Sequence, residues 1–240
     1  LHGIPVSVKD LYGVTGYPIF AGTPCALPDE LSLDGPIIAT LRDLYVVFTG
    51  KTHTVEFAFG GLGTNPHWPD PVNPWSGGAP RVAGGSSAGA GVSLCEGSAK
   101  LALGTDTAGS VRIPASYTGN VAIKTTAGRW PTQGIVPLSA TLDTAGVLAR
   151  TMADLIVGFE EIDGARQRVA ADVELSGMRL GRGEVFFWDD LSPGIAEAID
   201  GAISELEAGG AQIVSVEMDE AYPTFELFKQ GGPVSIELHR

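Results

Sequence analysis

The chain has 240 residues, of which 44% are hydrophobic and 18% charged, a composition typical of a globular protein and not of a disordered one. Its formal net charge of −13 argues against unaided binding to nucleic acid, because such a chain repels the phosphate backbone. No apolar run reaches the roughly 18 residues that a membrane span needs. We therefore expect neither nucleic acid nor a membrane as a direct partner.

The first part of the chain predicts alternating strands and helices. Short apolar runs predict strands at 4–8 and 44–48, with a helix at 37–44 leading into the second strand. Residues 60–80 are rich in Gly, Pro, Asn and Trp without periodicity, which predicts a long surface or site-lining loop. The strand–helix–strand order favours an α/β protein.

The same pattern continues after this loop. Ser86 or Ser87 can begin a helix that ends near Glu96. The next predicted elements are strands at 101–104 and 121–124 and an amphipathic helix at 151–162. The alternation of strands and helices therefore extends to about residue 162.

Composition changes near residue 164, where glycine becomes rarer and ordinary αβ units follow. The predicted elements there are a strand at 178–187, a helix at 193–208 that ends before Gly209 and Gly210, and a strand at 212–216. No linker or repeat interrupts the chain. We therefore predict a single domain over 1–240, with a catalytic core at 1–160 and an αβ scaffold at 161–240.

Two glycine-rich segments each carry a serine, Ser86 in GGSSAG and Ser110 in GTDTAGS. Upstream, Lys9 ends the short apolar run GIPVSVK, although Lys51 ends a second predicted strand in a similar way. Two serines and a lysine beside tightly bending backbone are the parts of a serine nucleophile that is activated without histidine. The combination indicates acyl-transfer chemistry on an amide.

Other motifs fit less well. The segment GSSAG matches the G-x-S-x-G turn of α/β-hydrolases, but no strand precedes it and none of the four histidines has a suitable context. The segment ending at Ser110 lacks the lysine of a phosphate-binding loop. His53 and His67 have no third ligand at metal spacing, and Cys25 and Cys95 are too few for a zinc site. We expect no metal, no cofactor, and free thiols in a reducing, cytoplasmic compartment.

Longer segments resemble the amidase signature family. They are GIPVSVKD at 3–10, GKTHTVEFAFG at 50–60, GGSSAG at 84–89, GTDTAGSVRIP at 104–114 and PLSATLDTAGVLART at 137–151. The match covers nearly all of the first 160 residues in order. Ala88 and Ala108 replace glycines of the family pattern, and Thr125 replaces its proline.

The resemblance implies an α/β/α fold with a central mixed β-sheet covered by helices. It also implies that Ser110 is the nucleophile, that Ser86 is a bridging serine in a cis peptide, and that Lys9 is the base. A lysine must be neutral to accept a proton, so burial has to lower the pKa of Lys9 from its ordinary value near 10.4 toward neutrality.

The resemblance further implies a cradle of backbone N–H groups around the developing oxyanion, from Thr107, Ala108, Gly109 and Ser110. Ser87 is expected to orient the three reacting groups. Asp106 and Arg112 flank the nucleophile, and we interpret them as an ion pair that braces the loop.

The resemblance implies an amidase that hydrolyses the C–N bond of a small-molecule amide. Two alternatives stay open: the glutamine-hydrolysing A subunit of a tRNA-dependent amidotransferase, and a catalytically silent fragment. Family members are commonly around twice this length, so we expect a partial chain. A homodimer or amidotransferase partner subunits are the protein partners that the resemblance leaves open.

Overall fold

The computed structural model describes residues 1–164, 173–183 and 185–238. The chain divides into two compact units, Leu1–Val169 with Glu237–Arg240, and Ala170–Ile236. Each unit contains its own β-sheet. Within the predicted 161–240 scaffold, residues 165–172, 184 and 239–240 lie outside the described residues.

The first unit is built on a five-stranded sheet. Its strands are β1 (Pro5–Lys9), β2 (Val47–Thr52), β3 (Leu101–Asp106), β4 (Val121–Lys124) and β5 (Thr144–Ala149). The order across the sheet is β2-β1-β3-β5-β4. Strand β1 is parallel to β2 and β3, whereas β5 is antiparallel to β3 and β4, so the sheet is mixed.

Helices cover this sheet. They are α1 (Pro36–Asp43), α2 (Ala88–Glu96), α3 (Arg112–Thr118) and α4 (Met152–Ile162). Helix α2 packs against β1, β3 and α3, and helix α4 packs against β4 and β5. Short 3-10 turns occur at Asp29–Ser32 and Glu56–Ala58.

Side-chain alternation along the strands separates two buried layers. Leu101 and Leu103 of β3 join a core that includes residues of α1 and α4, whereas Ala102 between them joins residues of α2 and α3. Helices therefore lie on both faces of the sheet, and the predicted α/β/α class is confirmed. On β1, Val6 and Val8 belong to the α1 and α4 layer.

Ser7 and Lys9 consequently point to the opposite face, toward α2. A hydrogen bond of 2.8 Å between the hydroxyl groups of Ser7 and Ser93 joins β1 to α2 there. Helix α2 approaches its neighbours closely: a Cβ added at Gly91 would lie 2.7 Å from the Thr118 hydroxyl oxygen on α3. The small residues of α2 thus allow the layer that faces Lys9 to pack tightly.

The second unit is smaller. Its parallel two-stranded sheet pairs β6 (Arg179–Gly183) with β7 (Gln212–Val216). Its helices are α5 (Ile195–Ala208) and α6 (Ala221–Lys229), and a 3-10 turn spans Val185–Trp188. Helix α7 (Gly232–Leu238) begins in this unit, and its residues from Glu237 onward are assigned to the first unit.

Most of the predicted elements are confirmed within a few residues. Two predictions are wrong in part: the strand predicted at 44–48 lies at Val47–Thr52, and the strand predicted at 178–187 ends at Gly183 before the 3-10 turn. The region 60–80 contains neither helix nor strand, as expected. The single-domain assignment stays a prediction.

Candidate active site

Lys9 lies at the end of β1, on the face of the sheet that α2 covers. Its side chain is completely buried. The Lys9 Nζ donates hydrogen bonds to the Ser86 Oγ at 2.6 Å and to the Thr105 Oγ1 at 2.8 Å. The structure therefore brings together two of the three residues that the sequence analysis assigned to the reaction.

Burial changes the protonation of this lysine. Desolvation lowers the pKa of Lys9 from 10.5 to about 7, and the negative charges of Asp143 and Asp106 oppose the change. At pH 7 about half of the Lys9 side chains are then neutral, against about 0.03% for a solvated lysine. A neutral amine beside a serine hydroxyl can accept a proton from it.

Ser86 follows a cis peptide bond with Gly85, as the resemblance implies. Gly85 cannot carry a side chain here, because a Cβ would lie 2.6 Å from the Gly63 nitrogen. The Gly85 N–H donates to the Gly61 carbonyl at 2.8 Å, and the Ser86 carbonyl accepts from the Val55 N–H at 3.2 Å. Segment 55–63 therefore fixes the backbone that presents the Ser86 hydroxyl to Lys9.

Ser110 follows β3 in the loop that leads to α3, and 9% of its surface is exposed. Its carbonyl accepts a hydrogen bond of 3.2 Å from the Ser87 N–H, which holds the two serine segments side by side. Ser87 is buried, and its hydroxyl donates to the Thr105 carbonyl at 3.3 Å. Within the described part of the chain, no hydrogen bond joins the Ser86 and Ser110 hydroxyl groups.

The Asp106 carboxylate organises this loop. It accepts the Gly109 N–H at 2.8 Å and the Val111 N–H at 3.1 Å, and Arg112 binds it through Nη2 at 2.9 Å and Nε at 3.0 Å. Although burial alone would raise the pKa of Asp106, the hydrogen bonds from Arg112 and Val111 hold it below its ordinary value. The predicted ion pair is confirmed.

Comparison with known proteins identifies the family. The sequence model of the amidase family matches residues 1–236. The chain belongs to this family. This assignment confirms the resemblance that the serine and lysine segments carry.

The relatives of this amidase-family chain include longer proteins. It is 55% identical over 240 residues to the 2-amino-5-chloromuconic acid deaminase of Comamonas testosteroni, covering 99% of this chain and 52% of that protein. It is 36% identical over 217 residues to the indoleacetamide hydrolase of Pseudomonas savastanoi, covering 90% of this chain and 47% of that protein. The chain thus spans about half the length of the curated relatives that it matches.

A solved amidase structure has the same fold. It superimposes with a TM-score of 0.83 at 32% identity, covering 99% of this amidase-family chain and 53% of the other. The comparison supports the α/β/α architecture from which Lys9, Ser86 and Ser110 project.

The second candidate lysine has a different environment. Lys51 Nζ forms an ion pair of 2.6 Å with the Asp10 carboxylate, and its side chain is 15% exposed. Burial lowers the pKa of Lys51, while Asp10 raises it. Since Lys51 has a carboxylate partner and Lys9 has a serine partner, the structure distinguishes two lysines that strand position alone could not.

The remaining sequence-predicted residues are placed around the loop. The Gly109 N–H already donates to Asp106. The candidates for the oxyanion cradle in this amidase-family chain are therefore the N–H groups of Thr107, Ala108 and Ser110. His53 and His67 lie near single carboxylates, and within the described ranges no cluster of three or more potential metal ligands forms. Those ranges also contain no helix with the length and apolar character of a membrane span.

Sequence analysis missed two residues of the site. Thr105 is the second hydrogen-bond partner of Lys9. Asp143 binds the Thr107 hydroxyl and influences the charge of Lys9. Both residues lie inside segments that resemble the family, and this position was the only sign in the sequence that they belong to the site. Asp143 reaches the loop because β3 pairs with β5.

Proposed function

We propose that this chain carries the acyl-transfer centre of an amidase that hydrolyses a carboxylic amide, with Ser110 as nucleophile, Ser86 as proton bridge and Lys9 as base. The observation that carries the proposal is the buried contact of 2.6 Å between Lys9 Nζ and Ser86 Oγ. Membership of the amidase family and the relation to an indoleacetamide hydrolase support the amide as substrate class.

In the proposed reaction, Ser86 gives its proton to neutral Lys9 and takes the proton of Ser110. The Ser110 Oγ then forms a bond to the amide carbonyl carbon, and the carbonyl electrons move onto oxygen. The N–H groups of Thr107, Ala108 and Ser110 stabilise that oxyanion, and one such donor contributes about 10²–10³ in rate.

Collapse of the oxyanion breaks the C–N bond and leaves an ester on Ser110. The proton that Lys9 received returns through Ser86 to the departing amine. A water molecule then attacks the ester and loses its proton along the same path, which releases the acid and regenerates the Ser110 hydroxyl.

An active-site-directed fluorophosphonate tests the nucleophile without knowledge of the substrate. The chain should be labelled at Ser110, Ser110→Ala should not be labelled, and Lys9→Ala should react about 10²–10⁴ times more slowly. Ser98→Ala is the matched control, because Ser98 is exposed and should leave labelling unchanged. An unlabelled chain, or labelling that persists in Ser110→Ala, contradicts the proposal and favours the silent fragment.

A substrate panel separates the activities that remain. Ammonia release should be measured with indoleacetamide, with 2-amino-5-chloromuconic acid, and with glutamine. Release from indoleacetamide supports a free amidase, and release from 2-amino-5-chloromuconic acid would assign the chain to the chemistry named for its 55% identical relative. Release from glutamine that requires a partner protein and tRNA would instead favour the amidotransferase subunit.

The expected cellular location, domain organisation and protein partners are also part of this proposal. The described cysteines are free thiols, which supports a reducing, cytoplasmic location. A single domain over 1–240 is proposed from the uninterrupted sequence pattern, and a homodimer or amidotransferase complex is proposed from the family resemblance.

A further inference from the structure

Asp143 binds the start of the loop that carries Ser110, through Thr107. Its Oδ1 accepts a hydrogen bond of 2.5 Å from the Thr107 hydroxyl. Its Oδ2 accepts from the backbone N–H groups of Leu138 at 2.8 Å and Ser139 at 3.1 Å. Both carboxylate oxygens are thus occupied, and segment 138–139 is tied to the first residue of the loop.

The sheet explains this placement. Strands β3 and β5 run antiparallel with Asp106 opposite Thr144, so Asp143 lies where β3 ends and the loop begins. The Thr144 hydroxyl donates to the Asp106 carbonyl at 2.7 Å, which fixes the register at that point. Loop 107–111 is consequently held by Asp106 at its far end and by Asp143 at its near end.

We propose that Asp143 is a positioning residue of the reaction: through its hydrogen bond to Thr107 it orients Thr107 and the following N–H groups toward the oxyanion. This inference rests on the proposed function, since it concerns the same reaction. It assigns a role to a residue outside the set predicted from sequence.

The position of Asp143 at the start of the loop also brings its negative charge to bear on Lys9. Asp143 and Asp106 are the charged groups that raise the pKa of Lys9, and Asp106 is paired with Arg112 through two contacts. Within the described residues, no lysine, arginine or histidine forms an ion pair with Asp143. The pKa of Lys9 is lowered by burial and raised most by Asp143 among the charges, which keeps it near neutrality. A base that must also return its proton works best in that range.

Two variants separate the charge from the hydrogen bond. Asp143→Asn removes the charge, whereas Thr107→Val removes the bond to Asp143 and keeps the charge. Asp154→Asn is the matched control, because Asp154 is an exposed carboxylate at the start of α4 whose described partner is Thr151. Each variant is made in the 240-residue chain, both with Ser110 intact and with Ser110→Ala.

The charge is tested by titrating Lys9 directly, with ¹⁵N-lysine NMR in the Ser110→Ala chain. The chain has five lysines, and the Lys9 signal is assigned by its loss in Lys9→Met. The pKa of Lys9 should fall in Asp143→Asn and stay unchanged in Thr107→Val and Asp154→Asn. An unchanged Lys9 titration in Asp143→Asn overturns the role of the charge, whether or not the chain turns over an amide.

The positioning is tested by rate. Thr107→Val should lower the rate of Ser110 labelling by about 10²-fold, since a small displacement of reacting groups has effects of that size. Thr107→Ser should restore it, because serine keeps the hydroxyl. Full labelling in Thr107→Val overturns the positioning role. Absence of labelling in the unsubstituted chain refutes the proposed function, and the NMR titration then still decides the action of Asp143 on Lys9.

Discussion

Replacing Lys9 by methionine should stabilise the fold while it slows the reaction by about 10²–10⁴-fold. The drop of the Lys9 pKa from 10.5 to about 7 corresponds to about 5 kcal/mol by which burial disfavours the protonated lysine. Methionine has a similar length and no charge to desolvate. It loses the hydrogen bonds to Ser86 and Thr105, which together contribute about 2 kcal/mol. The net gain in the free energy of unfolding should be about 3 kcal/mol below pH 7.

The sign of the pH dependence follows from the two pKa values of Lys9. Because the folded value of about 7 lies below the unfolded value of 10.5, the unfolded chain binds more protons between them, and stability rises with pH there. The cost of burying Lys9 is complete below pH 7 and is gone above pH 10.5. The difference between Lys9→Met and the unsubstituted chain should therefore shrink by about 1.4 kcal/mol per pH unit across that range.

The assay is urea unfolding of both chains at pH 6 and pH 9, with Ser98→Ala as a substitution outside the site. Lys9→Met should have the higher midpoint at pH 6, and most of its advantage should be lost at pH 9. Equal or lower stability of Lys9→Met at pH 6, with the same difference at both pH values, would refute the argument that Lys9 is buried at a cost.

Three further predictions follow from the same contacts. The kcat/KM of the unsubstituted chain should rise with pH around a midpoint of about 7, because neutral Lys9 is the reactive form, and a flat profile from pH 5 to 9 would contradict this. Thr105→Val should slow Ser110 labelling by about 10-fold, because the valine removes a hydrogen bond that orients Lys9, and Thr105→Ser should restore the rate. An unaffected rate in Thr105→Val would show that the hydrogen bond to Ser86 alone orients Lys9. Gly91→Ala should destabilise the fold by about 1–3 kcal/mol, because the added Cβ would collide with α3. Gly201→Ala in α5 should stabilise the fold by about 0.5–1 kcal/mol, because a Cβ there has no close neighbour. Thermal melts in which Gly91→Ala is the more stable variant would contradict the packing argument.

Sequence patterns predicted the elements whose periodicity is strong. They missed α6, the seven-residue helices α3 and α7, and strand β5. The TAGVLA sequence of β5 is buried on both faces and therefore lacks the alternation of a half-buried strand. The strand predicted at 44–48 begins later because the apolar residues around 44–46 serve the end of α1 and pack against the core from the connecting turn. Local composition cannot show which apolar run enters the sheet.

The sequence predicted those site residues that lie in the recognised segments of the amidase signature. Lys9 and Lys51 could not be separated by composition, because each ends a strand and the difference lies in what each meets across space: a serine turn for Lys9 and Asp10 for Lys51. Thr105 and Asp143 escaped prediction for the same reason. Their partners depend on the register of β3 against its neighbours, which no local pattern specifies.

The free energy that it costs to bury Lys9 is linked to the reactivity of Lys9 as a base. Parallel pairing of β1 with β3 places Lys9 near Thr105, and side-chain alternation turns it away from the apolar layer that Val6 and Val8 occupy. A solvated lysine at this position would keep its proton, whereas Lys51 has a carboxylate partner, Asp10, whose charge opposes the loss of the lysine proton. Burial beside two hydroxyl groups lowers the pKa of Lys9 to about 7, and carboxylates that act from a greater distance keep it from falling further. The free energy that Lys9 costs the fold is therefore the same quantity that makes it a base at pH 7.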